Sequence, residues 1–150
     1  MNTLERPAND IIAKNLDVVQ AHFHNENPAG IKAALDLYTD DIVWEVPARG
    51  ILLRGKEDVL REYTGIFESA EGLEITTIRR FATETMVVDD CFLTFKITGP
   101  GWRNCPFEIG TDVNMRLVHI FELRDGKICR ENGYEVWRRA ADTHLINDDL

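Results

Sequence analysis

The chain has 150 residues, 44 % of them hydrophobic and 29 % charged, with a formal net charge of −9; this suits one globular domain with a real core and argues against disorder. Its longest apolar runs, such as Ile51-Leu52-Leu53, fall far short of the ~20 residues of a bilayer span, and negative charge without a basic stripe disfavours nucleic acid as a partner. Met1 to Asp10 has no apolar stretch of the kind a secretory signal needs, which points to the cytoplasm, and the odd set Cys91, Cys105 and Cys129 predicts free thiols and no disulfide framework.

From Asn9 to Asn25 the residues Ile12, Leu16, Val19 and Phe23 recur at helical spacing, with Ile11, Val18 and His22 on an adjoining stripe; this predicts an amphipathic helix with a wide buried face. Asn27-Pro28 interrupts it, and Pro28 suits the first turn of a second helix carrying Ile31, Leu35 and Tyr38 on one face. Asp40-Asp41 turns the chain into a strand, Ile42 to Val46, with Trp44 and Val46 on one side and Glu45 on the other. After Arg54-Gly55, the spacing of Val59, Tyr63 and Phe67 predicts a third helix over Lys56 to Ala70. The remainder reads as strands over Leu73 to Thr83, Met86 to Val88 joining Cys91 to Thr98, Glu108 to Arg124, and Lys127 to Arg138. Asp89-Asp90, Gly99-Pro100-Gly101 and Asp125-Gly126 punctuate them as turns. The polar tail from Ala140 reads as a mobile segment or a lid. The class is α+β in a single domain with its core over about 9–138: a curved antiparallel sheet wraps around the N-terminal helices and leaves a cone-shaped pocket.

Three strings fit this order of elements: Leu37-Tyr38-Thr39-Asp40-Asp41-Ile42-Val43-Trp44-Glu45, Arg54-Gly55-Lys56-Glu57-Asp58-Val59, and Val118-His119-Ile120-Phe121-Glu122-Leu123-Arg124-Asp125-Gly126-Lys127-Ile128. Over roughly Ile11 to Trp137 the chain resembles the nuclear transport factor 2-like superfamily, and within it the SnoaL-like polyketide cyclases and ketosteroid isomerases. The resemblance implies the cone-shaped fold but not one activity, because this fold hosts isomerases, dehydratases, cyclases, epoxide hydrolases and plain binding proteins. Ketosteroid isomerases place a general-base aspartate where this chain has Val46. The Asp-Arg-Asp set of limonene epoxide hydrolases corresponds here to Phe95, Ile97 and Gly133, none of which can do acid or base work. The resemblance puts His22 in the place of a pocket tyrosine and His119 in that of a pocket aspartic acid.

His119 interrupts the alternating face of Leu117, Phe121 and Leu123, so a polar group is expected among apolar ones, as a core histidine or as a proton shuttle. A two-residue loop at Asp125-Gly126 would set Asn132 opposite it, and a three-residue loop would set Glu131 there. Glu131 would raise the basicity of the ring, whereas Asn132 would only orient it. His22 faces either the sheet or solvent, and His24 points to roughly the opposite side of the helix, so no metal site is expected. Trp44, Val46, Tyr63, Phe67, Trp102, Leu117 and Phe121 are the expected lining or core packing, with Trp102 a candidate cap over the mouth. Arg54 and Arg103 read as solvated charges. The expected function is a cofactor-free acid–base enzyme of the isomerase, cyclase or dehydratase type, acting on a small, largely apolar carbonyl or polyketide-like substrate. His119 and His22 would act with Glu131. The alternative is a non-catalytic protein that binds a hydrophobic small molecule. A homodimer would cover the apolar residues Val118 and Ile120 on the opposite sheet face.

Overall fold

In the computed structural model, which describes residues 5–143, helices α1 (Glu5–His24) and α2 (Ile31–Leu35) precede strand β1 (Tyr38–Val46). Strand β2 (Ile51–Arg54), helix α3 (Lys56–Glu68) and strands β3 (Ala70–Ala82), β4 (Met86–Ile97), β5 (Asp112–Arg124) and β6 (Lys127–Val136) follow. The first helix starts earlier than its apolar spacing predicts because Pro7 is tolerated in a first turn. Tyr38 does not belong to the second helix: it opens β1, which also absorbs Asp40 and Asp41 with a register shift against β6. The four-residue β2 is too short for periodicity to reveal.

The strands form one open sheet in the order β2-β1-β6-β5-β4-β3. The sheet is mixed, correcting the purely antiparallel expectation, because β6 returns from its hairpin with β5 to lie parallel to β1. No hairpin joins β1 to β6, so nothing in the connection forces opposite directions. Asp89-Asp90 is likewise no turn. β4 runs through it with strict burial alternation, Asp89 inward and Asp90 outward, and each acid is offset by arginine, Asp89 by Arg80 and Asp90 by Arg116. The turn lies at Thr83, whose hydroxyl accepts the backbone N–H groups of Thr85 and Met86.

At the β5–β6 hairpin, Asp125 and Gly126 take positive φ of 52° and 78° and Arg124 pairs with Lys127, a two-residue loop. A bulge then shifts the register between Glu122 and Leu123, so His119 pairs with Gly133 and neither sequence alternative holds. Two clusters of buried side chains fill the concave side. One, around Val19, Tyr38, Ile42, Val59 and Phe121, lies beneath the helices; the other, around Ile66, Leu93, Phe95, Met115 and Trp102, lies toward the far end of β4 and β5. Past β6, Ala140–Asp142 forms one 3-10 turn; a mobile tail or lid beyond Thr143 falls outside the described residues. Among the described residues no helix is long and apolar enough to cross a membrane.

Candidate active site

Where the two clusters meet, a pocket remains. β1 contributes Trp44 and Val46 by strand alternation, α3 contributes Tyr63 and Phe67 by helical spacing, and Leu117, His119, Glu131 and Trp102 are also part of the wall. Gly133 makes the space, because a Cβ there would sit 3.6 Å from both Leu117 and Val46 and 4.0 Å from the His119 ring. The volume open to the centre of a water molecule is about 40 Å³, room for about three waters.

The polar centre is His119, 6 % exposed, with a carboxylate near each ring nitrogen. Nδ1 lies 3.8 Å from Asp89 Oδ2 and Nε2 lies 3.8 Å from Glu131 Oε1, ionic contacts rather than hydrogen bonds. Burial by itself would lower the imidazole pKa, but its polar neighbours Asp89 and Cys91 and the charge of Glu131 outweigh it and push the value well above the ordinary one. His119 therefore carries its proton near neutral pH and can donate it from Nε2 into the pocket.

Glu131 is held ionised from several sides. Burial opposes the charge, yet His22, His119 and the Tyr38 hydroxyl bring its pKa down to about 2. Tyr38 donates to Oε2, and Tyr63 donates to Oε1 at 3.1 Å. His22 stands 3.4 Å from Oε2, with its ring nitrogens also 3.4 Å from the Ala34 carbonyl and 3.3 Å from the Tyr38 hydroxyl. Burial pulls the His22 pKa down while Glu131 and Glu26 more than restore it, leaving it raised. Behind His119 and Asp89, Arg80 donates to Asp89 Oδ1 at 2.7 Å.

Eight predicted residues line the pocket: His119, Glu131, Trp44, Val46, Tyr63, Phe67, Trp102 and Leu117. Three do not. His22 is wholly buried behind Glu131, because its helix stripe packs onto the sheet, so it contacts that carboxylate and not the pocket. Phe121 is also fully buried and stacks on His119 with centroids 5.5 Å apart. Asn132 points to the outer face, accepting from Arg130 at 2.9 Å and donating to Tyr134 at 3.2 Å, because the bulge places Gly133 opposite His119. His24 is exposed, away from His22, and Arg54 is exposed as expected. Arg103 is not a free charge: it donates to the buried Glu62 at 2.9 Å.

Sequence reasoning missed Asp89, Glu26, Tyr38 as a hydroxyl donor, and a buried cluster beside the pocket. In that cluster Arg49 donates to Glu135 at 3.0 Å and lies within 3.4 Å of Glu62, under the Trp102 ring. Only Asp89 left a usable signal, its even spacing with Val87 and Cys91 along β4. Asp89, Cys91 and His119 form the one three-donor group among the described residues, with ligand atoms within 4.8 Å. The set fits a metal poorly, because Arg80 already brings positive charge to Asp89 and burial raises the Cys91 pKa, keeping it a thiol. Trp44 Nε1 and Trp102 Nε1 are buried without a hydrogen-bond partner among the described residues, so the pocket wall carries two unsatisfied donors.

Residues 19–131 match the family model of the SnoaL-like domain. No curated protein matches the sequence. Among solved structures, a protein assigned as a SnoaL-like polyketide cyclase from Jannaschia sp. CCS1 superposes with a TM-score of 0.72 at 21 % identity, over 83 % of this chain and 87 % of that one. A protein assigned as a polyketide cyclase from Silicibacter sp. TM1040 gives 0.70 at 20 % identity, over 83 % and 90 %. An LEH-like epoxide hydrolase from M. tuberculosis gives 0.64 at 19 % identity, over 83 % and 84 %. At these identities the likeness is one of fold.

Proposed function

This chain belongs to the SnoaL-like domain family, and from that premise we propose that it is a cofactor-free acid–base enzyme for a small, largely apolar carbonyl or polyketide-like substrate. The observation that carries the reading is His119, in a pocket wall with a buried carboxylate beside each ring nitrogen. The imidazolium donates from Nε2 to a carbonyl oxygen as negative charge develops there, and the low-polarity wall strengthens that interaction. Asp89, anchored by Arg80, stabilises the charged ring from behind. Glu131 Oε1, 3.8 Å from His119 Nε2, is the nearest acceptor for a proton leaving the carbon next to the carbonyl. A pKa of about 2 makes Glu131 a weak base, so proton removal depends on the acid at the oxygen. The isomerase, cyclase and dehydratase readings share this enolisation.

The test is hydrogen–deuterium exchange at the α carbon of a panel of small cyclic ketones in D2O, with wild type and His119→Gln. The reading expects exchange with wild type and its loss in a variant whose circular dichroism is unchanged. Equal exchange in both removes His119 from the chemistry, and bound ketone without exchange in either favours the plain binding protein. We extend the proposal to a homodimer on the outer sheet face, where Phe81, Tyr134 and Val136 are exposed beside half-buried Val118 and Ile120. The row Arg79, Asp90 and Arg116 on that face carries both signs, so each copy offers opposite charges to the other. Light scattering that gives a monomer, or a dimer undisturbed by Val136→Asp, removes that part.

A further inference from the structure

The reading above leaves a mismatch of size, since about 40 Å³ will not hold a ring-bearing carbonyl compound, for which pockets run to about 300 Å³ or more. On the other side of the pocket wall is a groove of about 310 Å³ between the end of α1, the turn after it and the start of β3. Glu26, Phe67, Leu73 and Ile75 line both hollows, so these four side chains are the partition. We propose that pocket and groove are one elongated substrate site, closed here by the Phe67 ring, with Glu26 as the polar group that touches the ligand at the threshold.

All four side chains of the partition are only half-buried. Phe67 is half-buried near the end of α3 and stacks on Tyr63 with centroids 5.8 Å apart, so its rotation shifts a neighbour that donates to Glu131. On the strand side, the ladder of β3 with β4 shifts register between Glu71 and Glu74, where Gly72 has a positive φ of 66°. Glu26 Oε2 is buried with no hydrogen-bond partner among the described residues, an acceptor left free at the junction. Burial raises the Glu26 pKa to about 7, so near neutral pH about half of it stands at the doorway uncharged. The charged groups facing it are His22 on α1, Glu131 on β6, His119 on β5 and Asp89 on β4. The ligand so accommodated has an oxygen at His119 and an apolar body that runs past Phe67 into the groove. This inference rests on the acid–base reading only for the end of the ligand at His119.

The test is stopped-flow binding of 2-naphthol, an apolar phenol that mimics an enol, to wild type and to Phe67→Ala, Phe67→Leu, Phe67→Trp, Glu26→Gln and His119→Gln. Association should quicken by about tenfold in the Ala variant, less in Leu, and slow in Trp, as expected when a side-chain movement limits entry. Phe67→Leu keeps apolar packing and gives the direction should the Ala variant fold poorly. Affinity in wild type should fall as pH rises through about 7, where Glu26 gains charge, and that step should vanish in Glu26→Gln. Equal association rates across the Phe67 series, or no binding to any variant, overturns the joined site. Equal affinity in His119→Gln and wild type counts instead against the role of His119, leaving the entrance intact.

Discussion

His119 and Asp89 face each other as a directly opposed pair on β5 and β4, with Nδ1 and Oδ2 3.8 Å apart, and Arg80 holds the other aspartate oxygen at 2.7 Å. The histidine charge is thus set by a strand pairing that places a carboxylate behind the ring while its other nitrogen addresses the pocket. Asp89→Asn should lower the His119 pKa toward its ordinary value and destabilise the fold by roughly 3 kcal/mol, because Arg80 and His119 lose a buried counter-charge. Denaturant melts and an imidazole NMR titration check both; an unmoved His119 titration removes Asp89 from its positioning role.

Two carboxyls give opposite pH signatures. Glu131 is lowered from 4.5 to about 2, so its contribution to stability is present above about 4.5 and is lost as pH falls toward 2. Glu131→Gln should be less stable than wild type at neutral pH and should lose that acid limb. Glu26 is raised from 4.5 to about 7, so the fold binds a proton the unfolded chain has released, and stability falls as pH rises from 4.5 to 7. Glu26→Gln should gain on wild type above pH 7; urea midpoints across this range that run parallel to wild type contradict the assignment.

Tyr38 and Tyr63 each give a hydroxyl hydrogen to Glu131. Tyr63→Phe should cost about 1–3 kcal/mol, the penalty for a buried charged acceptor losing a donor, and should raise the Glu131 pKa. A change below about 0.5 kcal/mol in a chemical melt would mean that water replaces the hydroxyl.

Two glycines should respond differently to alanine. At Gly133 the added Cβ meets nothing closer than 3.6 Å, whereas at Gly101 it would lie 1.8 Å from the Gly65 carbonyl oxygen. Gly133→Ala should fold with a change within about 1 kcal/mol and narrow the pocket, while Gly101→Ala should lose about 2 kcal/mol or more through overpacking. Thermal melts of the two variants separate these cases.

Local pattern was enough for the helices, most strands and the inward side of Trp44, Val46, Tyr63 and Leu117, because burial follows period 3.6 or 2 and needs no knowledge of partners. It failed where partners decide. Asp89-Asp90 looks like a turn until Arg80 and Arg116 lie across the ladder from it. The Gly133 pairing depends on a bulge after a regular two-residue hairpin. Glu26 and Arg49 lie outside the apolar stripes: Glu26 meets His22 and Glu131 only in the fold, and Arg49 is buried by Glu62 of α3, Glu135 of β6 and the loop bearing Arg103. His119 was legible because a lone polar residue on an apolar strand face stands out, but its two carboxylates required the register.

The most direct test of His119 as the pocket acid is 15N NMR of its imidazole, identified by comparison with His119→Gln, at about pH 7 with and without a cyclic ketone. A doubly protonated ring whose Nε2 resonance moves on ketone addition is the predicted result. A neutral ring near pH 7, or a resonance indifferent to ketone that binds elsewhere in the same sample, would contradict it.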